Sequence, residues 1–141
     1  MTTSVKIAQG TPEWLHMVGV TLTDAANEAG LPNNQNLVFL ERYTDGEPIG
    51  GGLIQGLRLD FRNGKAFYRI GAGVEEEGDV VIEVSRYAAR QLNLHYSEDP
   101  AYIELLEEFH ANGQLKVVRG DISHLGDWLA STHDLIVGQT I

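Results

Sequence analysis

Five histidines, twenty acidic residues and no cysteine make up most of the reactive side chains of this 141-residue chain. Without cysteine there is no thiolate nucleophile, thiolate metal ligand or disulfide. His16, His95, His110, His124 and His133 are scattered, with no H-E-x-x-H and no closely spaced pair, so no metal site is assigned. His133 and Asp134 are sequence neighbours and point in different directions on a helix. His124, Asp127 and Ser131 have the spacing that one helix would align into a polar row. No G-x-S-x-G elbow accompanies them, and a solvated helix face is the simpler reading. Gly50-Gly51-Gly52 matches neither phosphate-loop pattern and reads as a turn. Among acid–base candidates, Glu83 alternates with its apolar neighbours onto the polar side of a strand with Val81. Asp24 lies near the apolar arc of a helix, where a pocket would raise its pKa. Glu41 and the pair His95-Tyr96, which follows a helix at the mouth of any cavity, complete the set with His110. None forms a catalytic constellation, so no catalytic residue and no cofactor is expected.

The elements that must position these groups are organised around Leu57–Ile70, LRLDFRNGKAFYRI. Asn63-Gly64 between two strand-like runs predicts a two-residue hairpin loop, which needs positive φ at both positions. That loop fixes the pairs Arg62/Lys65, Phe61/Ala66, Asp60/Phe67, Leu59/Tyr68, Arg58/Arg69 and Leu57/Ile70. Leu57, Leu59, Phe61, Ala66, Tyr68 and Ile70 then share an apolar face, which requires helices upon it. The facing pair Arg58/Arg69 is unfavourable, so an acid is expected between them, from Asp60 or a neighbouring strand. Residues 1–10 read as an extended lead-in. Thr11-Pro12 caps a helix that Gly30 ends, Leu37–Thr44 is a strand, and the glycine run makes the next segment irregular. Val74–Gly78 reads as a solvated connection and Asp79–Val84 as a strand. Ser85 caps a helix over Arg86–Leu94, and another starts at Ser97-Glu98-Asp99-Pro100 and ends at Asn112-Gly113 with Tyr102, Leu105, Leu106 and Phe109 inward. Gln114–Arg119 is the last strand, and a closing helix is expected from about Ser123.

Ten basic against twenty acidic residues give a formal charge of −10, which opposes binding to nucleic acid or anionic membranes. No apolar run approaches the ~20 residues of a membrane span, and the first ten residues do not read as a signal peptide. At 43% hydrophobic and 21% charged the chain is expected to fold as a single domain over residues 1–141, in the cytoplasm.

From Asp79 onward the order of elements is specific. Asp-Val-Val-Ile-Glu-Val-Ser leads into a helix, a second helix closes at Gly113, and Gln-Leu-Lys-Val-Val-Arg with Gly120-Asp121 precedes a terminal helix. This order resembles the sterol carrier protein 2 (SCP2-like) family, and the hairpin sits where that family places its paired strands. The resemblance is best over residues 57–136. It implies an α+β fold: a five-stranded, mostly antiparallel sheet with helices on one face and an apolar tunnel between them. The family commonly has one residue fewer between the glycines that flank the last strand, so a bulge is needed to keep its side chains in phase. The C-terminal Gly138-Gln139-Thr140-Ile141 is not a peroxisomal tripeptide.

The residues that would enclose the tunnel are Phe61, Tyr68, Val84, Leu92, Tyr102, Leu106, Phe109, Trp128, Leu129 and Ile136. Periodicity alone makes them core, and only a cavity turns core into pocket. Trp128 combines a large apolar face with an N–H donor, and Tyr68 has a hydroxyl for a ligand. The function expected is a carrier of a hydrophobic small molecule: a sterol, a fatty acyl chain or a similar lipid. The alternative is a small cofactor-independent enzyme using acid–base chemistry on an apolar substrate in the same pocket. Phe67 is the one large apolar residue on the polar face of the hairpin, and a second subunit could cover it as a homodimer.

Overall fold

Asn63 and Gly64 adopt φ of 53° and 78°, and the hairpin pairs in the register that loop dictates, from Arg62/Lys65 to Leu57/Ile70. The computed structural model describes residues 6–141. In chain order the elements are α1 (Pro12–Ala29), β1 (Leu37–Tyr43), β2 (Pro48–Gly50), β3 (Leu53–Arg62), β4 (Lys65–Ala72), β5 (Val80–Val84), α2 (Arg86–Asn93), α3 (Pro100–Asn112), β6 (Leu115–Arg119) and α4 (Trp128–Val137).

The fold is α+β with a six-stranded mixed sheet. Among the described strands of this sheet only β1 and β5 run parallel; the other strand pairs are antiparallel. The sixth strand is the short β2, in the segment expected to be irregular. It pairs with Leu53 and Ile54 of β3, whereas β1 pairs with Gly56–Phe61 along the same edge. The sheet therefore has five lateral positions, with β1 and β2 end to end in one of them. The last strand contains the bulge that the resemblance implied: Val81 pairs with Arg119 and Ile82 with Val117. Val118 is the extra residue, and Leu115 and Val117 keep the inward phase.

Helix ends follow local chemistry. The hydroxyl of Thr11 accepts from the Trp14 N–H, and that of Ser85 from the Ala88 N–H. Asp99 caps α3 through the Ala101 N–H, and Gly113, at φ 81°, ends it. The closing helix differs from expectation. Residues Ile122–Leu125 form one 3₁₀ turn, Gly126 breaks the chain at φ 110°, and α4 begins only at Trp128. His124 and Asp127 consequently do not share a helix with Ser131, whose hydroxyl donates to the Trp128 carbonyl. Residues 1–5 of the expected lead-in lie outside the described residues. Beyond them, Ile7 pairs in parallel with Thr140, and the Trp14 indole donates to the Thr140 hydroxyl at 2.8 Å.

Two packed clusters occupy the helix side of the sheet. One joins α1 and the α4 region to β3 and β4, with Leu59 and Ala26 fully buried. The other joins α2 and α3 to Val84 and Tyr43. The opposite side carries a small cluster of Leu40, Ala72 and Val81 and a polar lattice. There Phe67 is exposed, with the Arg62 guanidinium 4.9 Å from its ring centroid.

The acid required between Arg58 and Arg69 is Glu76, from the connection expected to be solvated. Arg58 bonds both Asp60 and Glu76, and Arg69 also pairs with Glu76. Burial pushes the Glu76 carboxyl up, but donors from Arg69, the Gly73 N–H and Arg58 outweigh it and hold the pKa at about 2. A depressed carboxylate contributes stability that is fully present above its ordinary pKa and is lost as pH falls towards the folded value. Because Arg69 is more than a third exposed, solvent screening reduces the contribution to about 1–2 kcal/mol. Urea unfolding at pH 7 is expected to show Glu76→Gln less stable by that amount, and the difference should shrink between pH 4.5 and pH 2. A gap that stays constant over that range would place the defect in packing rather than in the ion pairs.

Candidate ligand cavity

Alternation along β1 sends Phe39, Glu41 and Tyr43 to the helix side and Leu40 and Arg42 to the other. The residues confirm it: Phe39 and Tyr43 belong to the two helix-side clusters, whereas Leu40 packs in the small outer one. Arg42 is held outside by Glu83 at 3.1 Å and by the carbonyls of Gly73 and Glu76. Between the two helix-side clusters lies a cavity of about 880 Å³, floored by β1, β3, β5 and β6. Helix α1 contributes Trp14, Leu15, Val18 and Leu22 to its wall, and the far wall comes from α2, α3 and α4.

Of the ten residues expected to enclose a tunnel, Leu92, Tyr102, Leu106, Leu129 and Ile136 line this cavity. Phe61, Tyr68, Val84, Phe109 and Trp128 do not. Phe61 is buried, with the Trp128 ring edge-on at 5.9 Å. The Trp128 N–H donates to the Leu125 carbonyl at 2.6 Å, so it is not available to a ligand. Tyr68 packs beneath Gly19, and its hydroxyl meets His16 Nδ1 at 2.5 Å rather than turning to the cavity. Val84 and Phe109 are filled core under α2 and α3. The half-burial of Tyr102 and Leu106, where Phe109 on the same helix is fully buried, is the signature of a wall that faces space.

The connection between α2 and α3 is tied to α4 by polar contacts. Asp134 on α4 accepts from the Ser97 N–H and hydroxyl, and these bonds hold its carboxyl below the usual range. His133 donates through Nε2 to the His95 carbonyl and stacks on Tyr102 at 4.4 Å. The phenol of Tyr102 is pushed up by burial and by the charge of Asp134. The other acid–base candidates are dispersed. Asp24 and Tyr96 are exposed, Glu83 is paired on the outer face, and His95 donates through Nδ1 to the Gln91 carbonyl. His110 stands exposed on the cavity wall. Among the described residues no three histidine, aspartate or glutamate side chains are grouped as metal ligands. A second hollow of about 610 Å³ lies beside α2, but its Arg86 is engaged by Asp45 and Glu47.

Glu41 is the exception. Its carboxyl lines the cavity, and among the described residues no side chain hydrogen-bonds it. Burial pushes its pKa up to about 7. Beside it, burial and then the Glu41 charge push the Tyr43 phenol up as well, against the effect of the bond from Gln9 Nε2 to its hydroxyl. The signal for Glu41 was present in LVFLERYT, where it is the one charge in phase with Leu37, Phe39 and Tyr43.

No family model and no curated protein matches the chain. Among solved structures it is similar to a conserved hypothetical protein of Thermus thermophilus, described as possibly a sterol carrier protein, at 19% identity and a TM-score of 0.48 over 96% of this chain and 92% of that one. A crystal structure of sterol carrier protein 2 matches at 20% identity and a TM-score of 0.48, over 92% of this chain and 95% of the other. A structure named UbiJ-SCP2 ubiquinone synthesis protein matches at 16% identity and 0.45, over 89% and 96%. Several of these structures carry the name of the family that the sequence resembles, and a sec-alkyl sulfatase structure matches similarly, at 20% identity and a TM-score of 0.49 over 84% of this chain and 16% of the other. At these identities the likeness concerns the fold, and it transfers no activity.

Ionising Glu41 inside the cavity opposes folding. Because its folded pKa is raised, its neutral form is retained without penalty below about pH 4.5, and stability falls as pH rises towards 7. Allowing for water within the cavity, the full effect is about 2 kcal/mol. Glu41→Gln is therefore expected to be more stable than the parent by about that much at pH 8 and indistinguishable at pH 4, measured by urea unfolding. Equal stability at pH 8 would mean that the carboxylate is well solvated.

Proposed function

We propose that the chain, as one SCP2-like domain over residues 1–141, carries a hydrophobic small molecule in the cavity between sheet and helices. The observation that carries this reading is the cavity itself. At about 880 Å³ it falls in the size range of small-molecule sites, and aliphatic and aromatic side chains from both clusters dominate its walls. A sterol-sized or acyl-chain body fits that description. No helix among the described residues is long and apolar enough to cross a membrane.

One observation favours a second reading, a cofactor-independent acid–base enzyme: Glu41 is poised near neutrality within the cavity. Efficient proton transfer also needs a group that orients the base, as a triad's third member does. Glu41 has no such hydrogen-bonding neighbour among the described residues, so the carrier reading is preferred.

Solvent extraction of the purified protein followed by mass spectrometry is expected to release an apolar molecule in near-stoichiometric amount. Saturation of the emptied protein at a hundred times the Kd adds about 2.7 kcal/mol, a Tm rise of several degrees for a chain of this size. Leu106→Trp, which fills the wall of α3, should weaken uptake about tenfold or more while the chain stays folded by circular dichroism. An empty extract, together with no thermal response to sterols, alcohols, amines or acyl chains, would overturn the carrier reading. Recovery of a chemically altered ligand after incubation would favour the enzyme instead.

A further inference from the structure

The charges around the cavity are one-sided. Its wall contains the carboxylates of Glu41, Asp121 and Asp127 and the imidazoles of His110 and His133, but neither lysine nor arginine. An anionic head group would therefore meet no permanent cation among the described lining residues, where Glu41 has no hydrogen-bonding side chain of its own. Resting on the carrier reading, we propose that the cavity selects an apolar molecule bearing one cationic nitrogen, seated with its ammonium against the Glu41 carboxylate, and rejects molecules headed by a carboxylate or phosphate.

Three features argue for this occupant. A half-buried carboxylate on an apolar floor with no hydrogen-bonding side chain is costly to ionise, and a protonated amine supplies both the missing hydrogen bonds and the opposite charge. The chain's formal charge of −10 attracts cations and repels anions before contact. The floor around Glu41 is apolar, with Phe39, Leu57 and Ile82 beside it, so the remainder of the ligand must be apolar too. The titratable groups sharing the wall with Glu41 are Tyr43 on β1, Tyr102 and His110 on α3, Asp121 and Asp127 ahead of α4, and His133 on it. Helices α1 and α2 and strands β3, β5 and β6 contribute none. Ammonium binding needs Glu41 ionised, so affinity falls as pH drops below neutrality.

Calorimetric titration with dodecylamine, 1-dodecanol and dodecanoate separates head group from chain. At pH 8 the amine is expected to bind the parent protein at least tenfold more tightly than dodecanoate, with the alcohol between them. Glu41→Gln should lose about tenfold towards the amine and little towards the alcohol. Lowering the pH from 8 to 5.5 should weaken the amine about tenfold in the parent but not in Glu41→Gln. Equal affinity for all three ligands would overturn the head-group inference while leaving the carrier reading intact, because the neutral alcohol still reports the cavity. An amine preference that survives Glu41→Gln, or that disappears in 0.3 M salt in both proteins, would overturn it by assigning the effect to the acidic surface. Failure of all three to bind would sink this inference and the carrier reading together.

Discussion

A two-residue loop at Asn63-Gly64 admits one pairing of the strands on either side of it, and that pairing decides which side of the sheet is oily. Leu57, Leu59 and Phe61 on β3 lie beside Ala66, Tyr68 and Ile70 on β4 in the α1 cluster. A slip of one residue would place Arg58, Asp60 and Arg62 beneath α1 instead. The register also sets Arg58 opposite Arg69, a repulsion that the fold answers from outside the hairpin. Glu76 reaches back from the β4–β5 connection to bond both guanidiniums. The acidic run Glu75–Glu77 is thus partly structural, one of its members serving as the counter-charge that makes the outer face tolerable.

The cavity follows from how the helices divide that apolar face. Helix α1 lies over β3 and β4, while α2 and α3 gather around Val84, Tyr43 and β6, and the cavity lies between the two clusters, reaching Phe39, Glu41 and Ile82 on β1 and β5. Side chains there are apolar enough to close the gap, as packing density elsewhere in protein interiors favours. Glu41 opposes closure. Collapse around it would strip water from a carboxyl without supplying a partner, and that desolvation outweighs the dispersion attraction won by one side chain. The single charge in the inward phase of β1 therefore stands where the two clusters meet the cavity, among residues that would otherwise be wholly apolar floor.

Local chemistry made most of the fold readable in the residues themselves. Thr11, Ser85, Gly30 and Gly113 mark helix ends because capping is a contact between near neighbours. The bulge at Val118 answers the one extra residue that comparison with the SCP2-like pattern pointed to, since an odd residue must leave the ladder if both ends are to stay in phase. What failed to show depends on distance in space. The 3₁₀ turn at Ile122–Leu125 keeps the helical spacing of Ile122 and Leu125 but ends at Gly126, so periodicity ran through a real break. Periodicity likewise could not separate Leu92, Tyr102 and Leu106, which face the cavity, from Val84 and Phe109, which face core. Trp128 and Tyr68 were plausible hosts for a ligand until their polar atoms proved to have partners in Leu125 and His16. Glu41 was the opposite case: its position was readable by alternation, but its isolation was not.

That isolation couples folding, protonation and binding through one group. In the empty protein the Glu41 carboxyl is relieved by keeping its proton, which is why its pKa lies near 7. A cationic ligand relieves the same carboxylate by charge, so proton and ligand compete for one site and each lowers the affinity of the other. A neutral ligand offers no such relief and instead expels the water that solvates the ionised form, which favours the protonated acid. The pKa of Glu41 must therefore move down in a complex with an amine and up in a complex with an alcohol or hydrocarbon. The direction of that movement reads the chemistry of the head group independently of affinity, because it depends only on what replaces water beside the carboxyl.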